Sequence, residues 1–254
     1  MQFTVIIPAR YASTRLPGKP LMDIAGKPMI YHVHALAVAS GANRVIIATD
    51  DPRIKKAAED FGATVYITSE HHISGTDRVA EVIQTLKEPD HGIIVNIQGD
   101  EPLLPPALVR QVAKDLSDHP HAQVATLCER IADANALFDP AVVKVVMDKK
   151  GYALYFSRAP IPWHRDHFAN HPHSLPPGAP YYRHIGIYAY RASFLRYYTT
   201  CSLCAPEQVE SLEQLRVLHD GEKIHLSEAR ESPGFGVDTL DDLKRAQAAF
   251  VALA

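Results

Sequence analysis

Over the first half of the chain, short apolar runs rich in β-branched residues alternate with longer segments whose apolar residues recur every three or four positions. The short runs are typical of buried strands, and the longer spacing is typical of amphipathic helices. We therefore expect strands at residues 3–7, 44–49, 63–67 and 92–97, and helices at residues 28–39, 51–61, 76–86 and 105–116. This alternation predicts an α/β fold with a mostly parallel, twisted sheet covered by helices on both faces.

The pattern changes after about residue 120, where strand-like runs follow one another with few helical residues between them. We expect strands at residues 123–128, 142–147, 152–157 and 185–190. The polar turn at residues 148–151 predicts that the second and third of these runs form a long hairpin. That hairpin is a candidate subdomain or dimerisation surface.

Two helices are predicted towards the end of the chain. The first covers residues 206–218, and its expected buried face consists of Val209, Leu212, Leu215 and Leu218. The second covers residues 239–251, where Thr239 and Asp242 have the spacing of a capping box.

Residues 163–182 are rich in proline and histidine, and they are expected to form a long solvated loop, a candidate lid over a site. An irregular, proline-rich segment without cysteine does not fix the tetrahedral geometry of zinc, although it contains His164, His167, His171 and His173. The spacing of Cys201 and Cys204 fits a redox pair or half of a zinc site, but an isolated pair is a weak signal and no second pair completes a zinc site.

Composition narrows the classes of function. A net charge of −3 and a pI near 6.5 argue against a general nucleic-acid binder. No apolar run reaches the length of about 18 residues that is typical of a membrane span, and the first residues do not resemble a secretory signal. Three cysteines without a disulfide framework fit a reducing compartment, so we expect a cytoplasmic protein without membrane insertion.

Residues 10–20 follow the first predicted strand, at the end where open α/β sheets bind ligands. They carry three positive charges, on Arg10, Arg15 and Lys19, and two aliphatic hydroxyls, on Ser13 and Thr14. Such a loop fits a polyanion such as a triphosphate. The spacing matches neither the dinucleotide-binding glycine motif nor the Walker motif, so side-chain charge supplies most of the attraction. The alternative is a basic loop that is merely solvated.

Two carboxylates are candidate metal ligands. Asp100 follows the strand at residues 92–97, and Asp238 follows a short glycine-containing segment before the last helix. Magnesium prefers carboxylate oxygen and phosphate, so an acid that faces an anion cradle fits a divalent cation between them. Turn formation is the alternative for Asp100, and helix capping is the alternative for Asp238. The spacing does not show that the two residues meet.

Three further polar clusters lie on regular elements. Residues 74–78 open a helix whose free backbone N–H groups can bind phosphate or the edge of a base, and Arg78 lies one turn in. The alternative is a plain helix start capped by Thr76. In the other two clusters, His184 begins a strand, whereas Glu213, Gln214 and Arg216 flank an apolar stripe and are expected in solvent.

Taken together, seven segments of the chain resemble the 3-deoxy-manno-octulosonate cytidylyltransferases, also called CMP-Kdo synthetases. They occur in the family's order over nearly the whole chain, at residues 7–20, 74–78, 96–102, 151–158, 183–188, 212–216 and 236–239. The resemblance implies a Rossmann-like nucleotidyltransferase fold in a single domain, with a nucleotide-binding half (1–120), a part for sugar binding and dimerisation (121–235) and a closing helix (236–254).

The resemblance also implies a reaction. CTP and Kdo would give CMP-Kdo and pyrophosphate by in-line attack of the anomeric hydroxyl on the α-phosphorus, with Mg²⁺, in a cytoplasmic homodimer that feeds lipopolysaccharide synthesis. Arg10, Ser13, Arg15 and Lys19 would hold the triphosphate, and Ser74, Gly75 and Arg78 would bind the cytidine. Asp100 and Asp238 would bind magnesium, and Gln98, His184, Glu213 and Gln214 would face the sugar acid. Arg10, Arg15, Lys19 and Asp100 would be the catalytic residues.

Other functions stay open at this point. The same nucleotide half could activate another keto-sugar acid, such as a sialic acid. A metal-dependent glycosyltransferase also places acids at strand ends, but its diphosphate donor needs fewer cations than this loop offers. A regulatory protein that senses CTP without turning it over would keep the basic loop, but it need not retain Asp100, Asp238 and the sugar-side residues together.

Overall fold

A computed structural model describes residues 1–12, 16–72 and 74–253. Its strands are β1 (Thr4–Ala9), β2 (Asp23–Ile24), β3 (Lys27–Pro28), β4 (Arg44–Thr49), β5 (Thr64–Ile67), β6 (Ile93–Asn96), β7 (Val124–Arg130), β8 (Lys144–Met147), β9 (Ala153–Ser157), β10 (Tyr182–Arg191) and β11 (Ile224–Glu228). Its α-helices are α1 (Met29–Ala39), α2 (Pro52–Asp60), α3 (Gly75–Thr85), α4 (Pro106–Asp118), α5 (Ala134–Phe138), α6 (Arg165–Asn170), α7 (Ala192–Tyr198), α8 (Ala205–Glu210), α9 (Gln214–His219) and α10 (Leu240–Leu253). A 3₁₀ helix covers Lys19–Leu21.

The described residues form a nine-stranded mixed sheet whose main order is β11-β7-β10-β6-β1-β4-β5. In that order β10 runs antiparallel to both of its neighbours, β6 and β7, and the other six strands run in one direction. The predicted mostly parallel sheet is therefore confirmed. The strands β8 and β9 form the predicted antiparallel hairpin, and β8 joins the sheet through the first residues of β10.

The central strands β1 and β6 are buried along their whole length because helices cover both faces of the sheet. Alternate side chains of β1 point to opposite faces. Val5 and Ile7 pack with residues of α1, α2 and α4, whereas Ile6 packs with residues of α3, α7 and α9. The six residues of β1 are all buried, so this strand is a rigid support for the loop that follows it.

The prediction of one continuous helix at residues 206–218 is wrong. The chain forms two short helices, α8 and α9, because Ser211 between them has a left-handed backbone with φ 51°. The change of direction also leaves Val209 86% exposed, although Leu212 and Leu215 are buried as expected. Apolar spacing alone did not reveal this break.

Other elements differ from the prediction as well. The segment at residues 163–182 is not a loop throughout, since it contains α6, with Phe168 packed against Tyr181 and Leu137. The elements β11, α5 and α7 were not predicted. The capping box at Thr239 and Asp242 is confirmed, because Thr239 Oγ1 accepts from the Asp242 N–H at 3.2 Å and the Asp242 carboxylate accepts from the Thr239 N–H at 3.1 Å. No helix among the described residues is long and apolar enough to cross a membrane.

Candidate active site

The parallel pairing of β1 with β6 places the loops that follow these two strands side by side. The start of α3 and the segment that precedes α10 reach the same edge of the sheet. Together they line a cavity of about 310 Å³, which we call the carboxylate cavity. Its lining residues are Pro8, Ala9, Arg10, Ala12, Lys19, Pro20, Gly75, Gln98, Gly99, Asp100 and Asp238.

The structure brings Asp100 and Asp238 together. A backbone hydrogen bond of 2.8 Å from the Val237 N–H to the Asp100 carbonyl ties the segment before α10 to the loop after β6. Val237 is itself fully buried, which anchors this contact. The two carboxylates then share one cation, because Lys19 Nζ lies 2.6 Å from Asp100 Oδ2 and 3.1 Å from Asp238 Oδ1.

The position of Lys19 follows from the turn before it. Gly18 has a left-handed backbone with φ 71°, and its N–H donates to the Tyr11 carbonyl at 2.9 Å. A side chain at position 18 would be strained in this conformation and would meet the Tyr11 ring at 3.1 Å. The turn leads into the 3₁₀ helix that begins at Lys19 and aims the ammonium into the carboxylate cavity.

The charges of this cluster shift the pKa values of its members. Burial lowers the pKa of Lys19, but the charges and hydrogen bonds of Asp100 and Asp238 outweigh burial and raise that pKa above its ordinary value. Burial and the same two carboxylates raise the pKa of the neighbouring Glu101 to about 7. Lys19 is therefore held as an ammonium.

The helix α3 begins at the cavity. Its cap is Ser74 rather than Thr76, the cap in the alternative interpretation, since Ser74 Oγ accepts from the Asp77 N–H at 3.1 Å and the Asp77 carboxylate accepts from the Ser74 N–H at 3.2 Å. Gly75, the first residue of the helix, packs so closely that an added Cβ would lie 3.3 Å from Pro8 Cγ and 3.5 Å from Gln98 Oε1. Gly75 thus brings the backbone of the helix start to the cavity wall.

Arg78, which is expected to contact the nucleotide, does not line the carboxylate cavity. Its side chain has no exposed surface. Its guanidinium donates to the Thr68 hydroxyl and, at 2.6 Å, to Asp50 Oδ2. These bonds tie the start of α3 to the ends of β4 and β5. In this position the fully buried guanidinium offers no surface to a ligand.

The remaining residues of the expected triphosphate site have different outcomes. Arg10 lines the carboxylate cavity, and its Nη1 donates to the His72 carbonyl at 3.4 Å. Ser13 and Arg15 lie outside the described residues. Their roles stay predictions.

A second cavity, of about 190 Å³, lies on the other side of Gln98, and we call it the tyrosine cavity. Its lining residues are Thr76, Asn96, Gln98, Val124, Tyr188, Tyr190, Tyr198, Glu213, Gln214 and Val217. Three of the four residues expected to face the sugar acid, Gln98, Glu213 and Gln214, therefore share one wall. Tyr188 and Tyr190 stack with their ring centroids 5.7 Å apart.

The fourth expected sugar residue, His184, lies beside this cavity rather than in its lining. Its ring packs on Tyr188 and Phe156, with centroid distances of 5.3 and 5.1 Å. Its Nε2 lies 3.0 Å from Thr126 Oγ1. Burial lowers the pKa of His184 to about 3, so its imidazole is neutral at physiological pH.

Glu213 connects the two cavities. Its carboxylate accepts from the Ser74 hydroxyl at 3.4 Å, and its backbone carbonyl accepts from the Tyr198 hydroxyl at 3.1 Å. Burial raises the pKa of Glu213 above its ordinary value. The cap of α3 and the wall of the tyrosine cavity are therefore in direct contact.

The sequence did not reveal an ion pair behind this wall. Arg216 was expected in solvent, but its guanidinium binds both carboxylate oxygens of Glu207, at 2.8 and 2.5 Å. The same guanidinium lies 4.5 Å from the centroid of the Tyr198 ring. The nine-residue separation of the pair spans the break at Ser211, so no helical spacing could have indicated it.

A third cavity, of about 250 Å³, opens on the opposite face of the sheet between the loop after β6, the first half of β10 and residues 233–236. We call it the Glu101 cavity. Gln98, Glu101, Arg183 and His184 are among its lining residues. Gln98 thus lines all three cavities.

Comparisons with known proteins agree with this architecture. A family model described as cytidylyltransferase matches residues 4–224. The chain is 57% identical over 246 residues to the 3-deoxy-manno-octulosonate cytidylyltransferase of Hahella chejuensis, covering 97% of this chain and 96% of that protein. It is 58% identical over 249 residues to the protein of the same name from Pasteurella multocida, covering 96% of each.

A solved structure is similar over its whole length. It is that of a CMP:2-keto-3-deoxy-manno-octonic acid synthetase complexed with CTP, with a TM-score of 0.91, 43% sequence identity and 100% coverage of both chains. The fold and the matching family model define an enzyme of the nucleotidyltransferase class, a cytidylyltransferase. Within that class, the chain belongs to the 3-deoxy-manno-octulosonate cytidylyltransferase family, as its sequence motifs predicted.

Proposed function

We propose that the protein transfers a cytidylyl group from CTP to the anomeric hydroxyl of Kdo, and that it releases pyrophosphate. The observation that carries this proposal is the pair of adjoining cavities. One contains two carboxylates, a lysine and a helix start, and the other contains Glu213, Gln214 and three tyrosines. They meet at Gln98, so two substrates bound in them would be in contact. The named activity of the relatives supports the same reaction.

Asp100 and Asp238 fit a magnesium ion. Both offer hard carboxylate oxygens beside a cavity that is suited to phosphate, which is the donor set that Mg²⁺ prefers. Their oxygens already bind a cation in common, since both accept from Lys19. When bound, Mg²⁺ would neutralise charge on the phosphates and lower the pKa of the attacking hydroxyl.

The residues of the carboxylate cavity would hold CTP. The N–H groups at the start of α3, at the positive end of the helix dipole, would face a bound phosphate, and Arg10 and Lys19 would add two positive charges. Ser13 and Arg15 belong to this proposed set through the sequence motif. Pyrophosphate is the leaving group, so cations here would stabilise the charge that develops on it. Ser74 and Gly75 remain the proposed contacts to the cytidine.

The residues of the tyrosine cavity would orient the sugar acid. Gln98, Glu213 and Gln214 offer hydrogen-bond partners for its hydroxyls, and the tyrosines give it a rigid wall. His184, in its neutral form, packs on Tyr188 and thereby stabilises this wall. Phosphoryl transfer depends on positioning and charge stabilisation, so the lack of a Ser-His-Asp triad in the proposed set is no objection.

Pyrophosphate release tests the proposal. Purified protein with CTP and Mg²⁺ should release pyrophosphate only when Kdo is added, and mass spectrometry should detect CMP-Kdo in equimolar amount. Sialic acid in place of Kdo tests the alternative acceptor, and UTP in place of CTP tests which base the protein selects. Binding of CTP without any Kdo-dependent release would contradict the proposal and favour a sensor.

We also propose that the chain acts as a cytoplasmic homodimer that supplies lipopolysaccharide synthesis. The hairpin of β8 and β9 supports a dimer, because its Leu154 is 62% exposed and its Tyr155 is 39% exposed. The division into a nucleotide-binding half (1–120), a sugar-binding and dimerisation part (121–235) and a closing helix stays a proposal. Light scattering after size-exclusion chromatography would measure the mass, and replacing Leu154 with aspartate should convert a dimer to a monomer.

A further inference from the structure

The two carboxylates of the proposed magnesium site already hold one cation, the ammonium of Lys19. Its Nζ donates to Asp100 Oδ2 at 2.6 Å and to Asp238 Oδ1 at 3.1 Å. The lysine side chain is only 11% exposed, so little water screens these contacts. Hydrogen bonds between charged groups are about twice as strong as neutral ones. The lysine therefore competes effectively for both carboxylates.

The same ammonium is also the group expected on the triphosphate. A divalent cation bound to Asp100 and Asp238 needs the oxygens that Lys19 now contacts. Two cations that share these oxygens also repel each other strongly at such short range. Phosphate oxygens in the carboxylate cavity would give the displaced ammonium another anionic partner.

The backbone around Lys19 allows this exchange without a change of fold. The N–H of Gly18 is bound to the Tyr11 carbonyl at 2.9 Å, and the N–H of Met22 is bound to the Lys19 carbonyl at 3.1 Å. These bonds hold the main chain in place on both sides of the residue. The lysine side chain is a flexible chain of four carbons that ends in a compact ammonium. The ammonium can therefore change partners without movement of the backbone.

We propose that Lys19 is an internal counter-cation, which keeps divalent metal off Asp100 and Asp238 until nucleotide phosphate draws its ammonium away. This inference rests on the proposed function. It makes the binding of metal and the binding of CTP mutually dependent. Each ligand then tightens the other by the same factor, as linkage requires.

Metal binding without nucleotide provides the test. Mn²⁺ is the probe, and its dissociation constant is measured by electron paramagnetic resonance and by calorimetry. Replacing Lys19 with methionine (Lys19→Met) should tighten Mn²⁺ binding by about tenfold, within the usual range of coupling between sites. Lys19→Arg should bind Mn²⁺ as the wild-type protein does, because it keeps the charge.

The chain offers a matched control at Lys27. It lies in a second Gly-Lys-Pro sequence eight residues on, and its side chain is exposed at the start of β3. Lys27→Met removes the same charge close by, and it should leave the Mn²⁺ dissociation constant unchanged. Equal gains in both variants would reduce the effect to general electrostatics and overturn the proposal. Circular dichroism verifies folding, and Lys19→Gln replaces Lys19→Met if the latter is unfolded.

Two aspartate variants separate failure of this inference from failure of the metal site. Asp100→Asn and Asp238→Asn should each weaken Mn²⁺ binding. If they do and Lys19→Met shows no gain, Lys19 is not a counter-cation and the metal assignment survives. If neither aspartate variant changes Mn²⁺ binding, the metal site itself is wrong and the inference falls with it.

In the wild-type protein, a non-hydrolysable CTP analogue should tighten Mn²⁺ binding. The gain should be smaller in Lys19→Met because the competing ammonium is already absent. An equal gain in both proteins would overturn the proposed coupling. The Lys27→Met variant should show the wild-type gain.

Discussion

Arg216 and Glu207 form a two-pronged ion pair behind the tyrosine cavity, with Nε–Oε2 at 2.8 Å and Nη2–Oε1 at 2.5 Å. The side chains are 11% and 9% exposed, so the pair is almost dry. It joins α8 to α9 across the break at Ser211. The guanidinium of Arg216 packs on the ring of Tyr198, and the Tyr198 hydroxyl donates a hydrogen bond to the Glu213 carbonyl.

Glu207→Gln should therefore weaken the binding of the sugar acid more than that of the nucleotide. We expect the KM for Kdo to rise about tenfold and the KM for CTP to change less than about twofold, because the tyrosine cavity alone loses its support. Stability should fall by about 3 kcal/mol, since a buried charge loses its partner. Steady-state kinetics with each substrate varied and urea unfolding measure both effects.

Two further variants make this test specific. Asp118→Asn removes one partner of the exposed pair with Lys114 and should change stability by less than about 1 kcal/mol. Arg216→Met combined with Glu207→Gln should cost less than the sum of the single changes, because no buried charge is then left alone. Equal increases in both KM values would contradict a role confined to the sugar side.

Asp238→Asn should lower kcat about a hundredfold or more, as expected for the loss of a ligand to a metal that stabilises transition-state charge. Folding stability should change little, because Lys19 keeps Asp100 as a partner. Asp241→Asn is the matched control, since its carboxylate lies three residues on and is 89% exposed. Comparable activity of the two variants at saturating Mg²⁺ would remove Asp238 from the site.

Gly75→Ala should impair nucleotide binding without unfolding the protein. The added methyl group would lie 3.3 Å from Pro8 Cγ, where the first turn of α3 approaches β1. Alanine favours the helix, so we expect stability within about 1 kcal/mol of wild type. The KM for CTP should rise about tenfold if phosphate binds at this helix start. Isothermal titration with CTP would show the same loss, and an unchanged affinity would place the nucleotide elsewhere.

Arg78→Met tests whether Arg78 contacts the nucleotide or only supports the fold. The variant leaves the Asp50 carboxylate, which is 18% exposed, without its buried partner, and it should destabilise the protein by about 3 kcal/mol or more. At a temperature where the variant is folded, its KM for CTP should stay within about threefold of wild type. A tenfold increase in a protein of native stability would instead restore Arg78 to the ligand site.

The stability of the protein should depend on pH through His184. Its folded-state pKa is lowered to about 3 by burial, whereas its ordinary value is 6.5. As the pH falls below about 6.5, the unfolded chain binds a proton there that the folded protein does not, so the free energy of unfolding decreases. Between pH 7.5 and pH 5 this single residue should account for about 2 kcal/mol.

Urea unfolding at the two pH values measures the effect of His184. His184→Gln, which can keep the hydrogen bond to Thr126, should lose about 2 kcal/mol less than wild type on acidification. His71→Gln changes an exposed histidine and should lose as much as wild type. Identical losses in all three proteins would mean that His184 is protonated in the folded state.

The sequence allowed the sheet and one edge of the site to be predicted, because both depend on local patterns. Strand ends are visible as apolar runs that stop at polar residues, and this placed Lys19 and Asp100 at the same edge. The meeting of Asp100 with Asp238 could only be inferred from the family motif. In the structure it depends on a backbone bond from Val237, which leaves no trace in composition.

The wall of the tyrosine cavity was the least predictable part. The stripe of Leu212 and Leu215 is continuous with Val209 in the sequence, but the backbone turns at Ser211, where a serine adopts a conformation more usual for glycine. Arg216 was expected in solvent because a charged residue next to an apolar stripe usually is. Its burial depends on Glu207, which only tertiary packing brings within reach.

Gln98 borders all three cavities with one side chain. With the donor and the acceptor bound as proposed, a substitution there would alter the recognition of both. Enzyme engineering that seeks a new acceptor sugar should therefore keep position 98 fixed and diversify Gln214 and Tyr188, which line one cavity each. Random libraries that include position 98 should return few active clones, because each change there would disturb the proposed donor and acceptor sites at once.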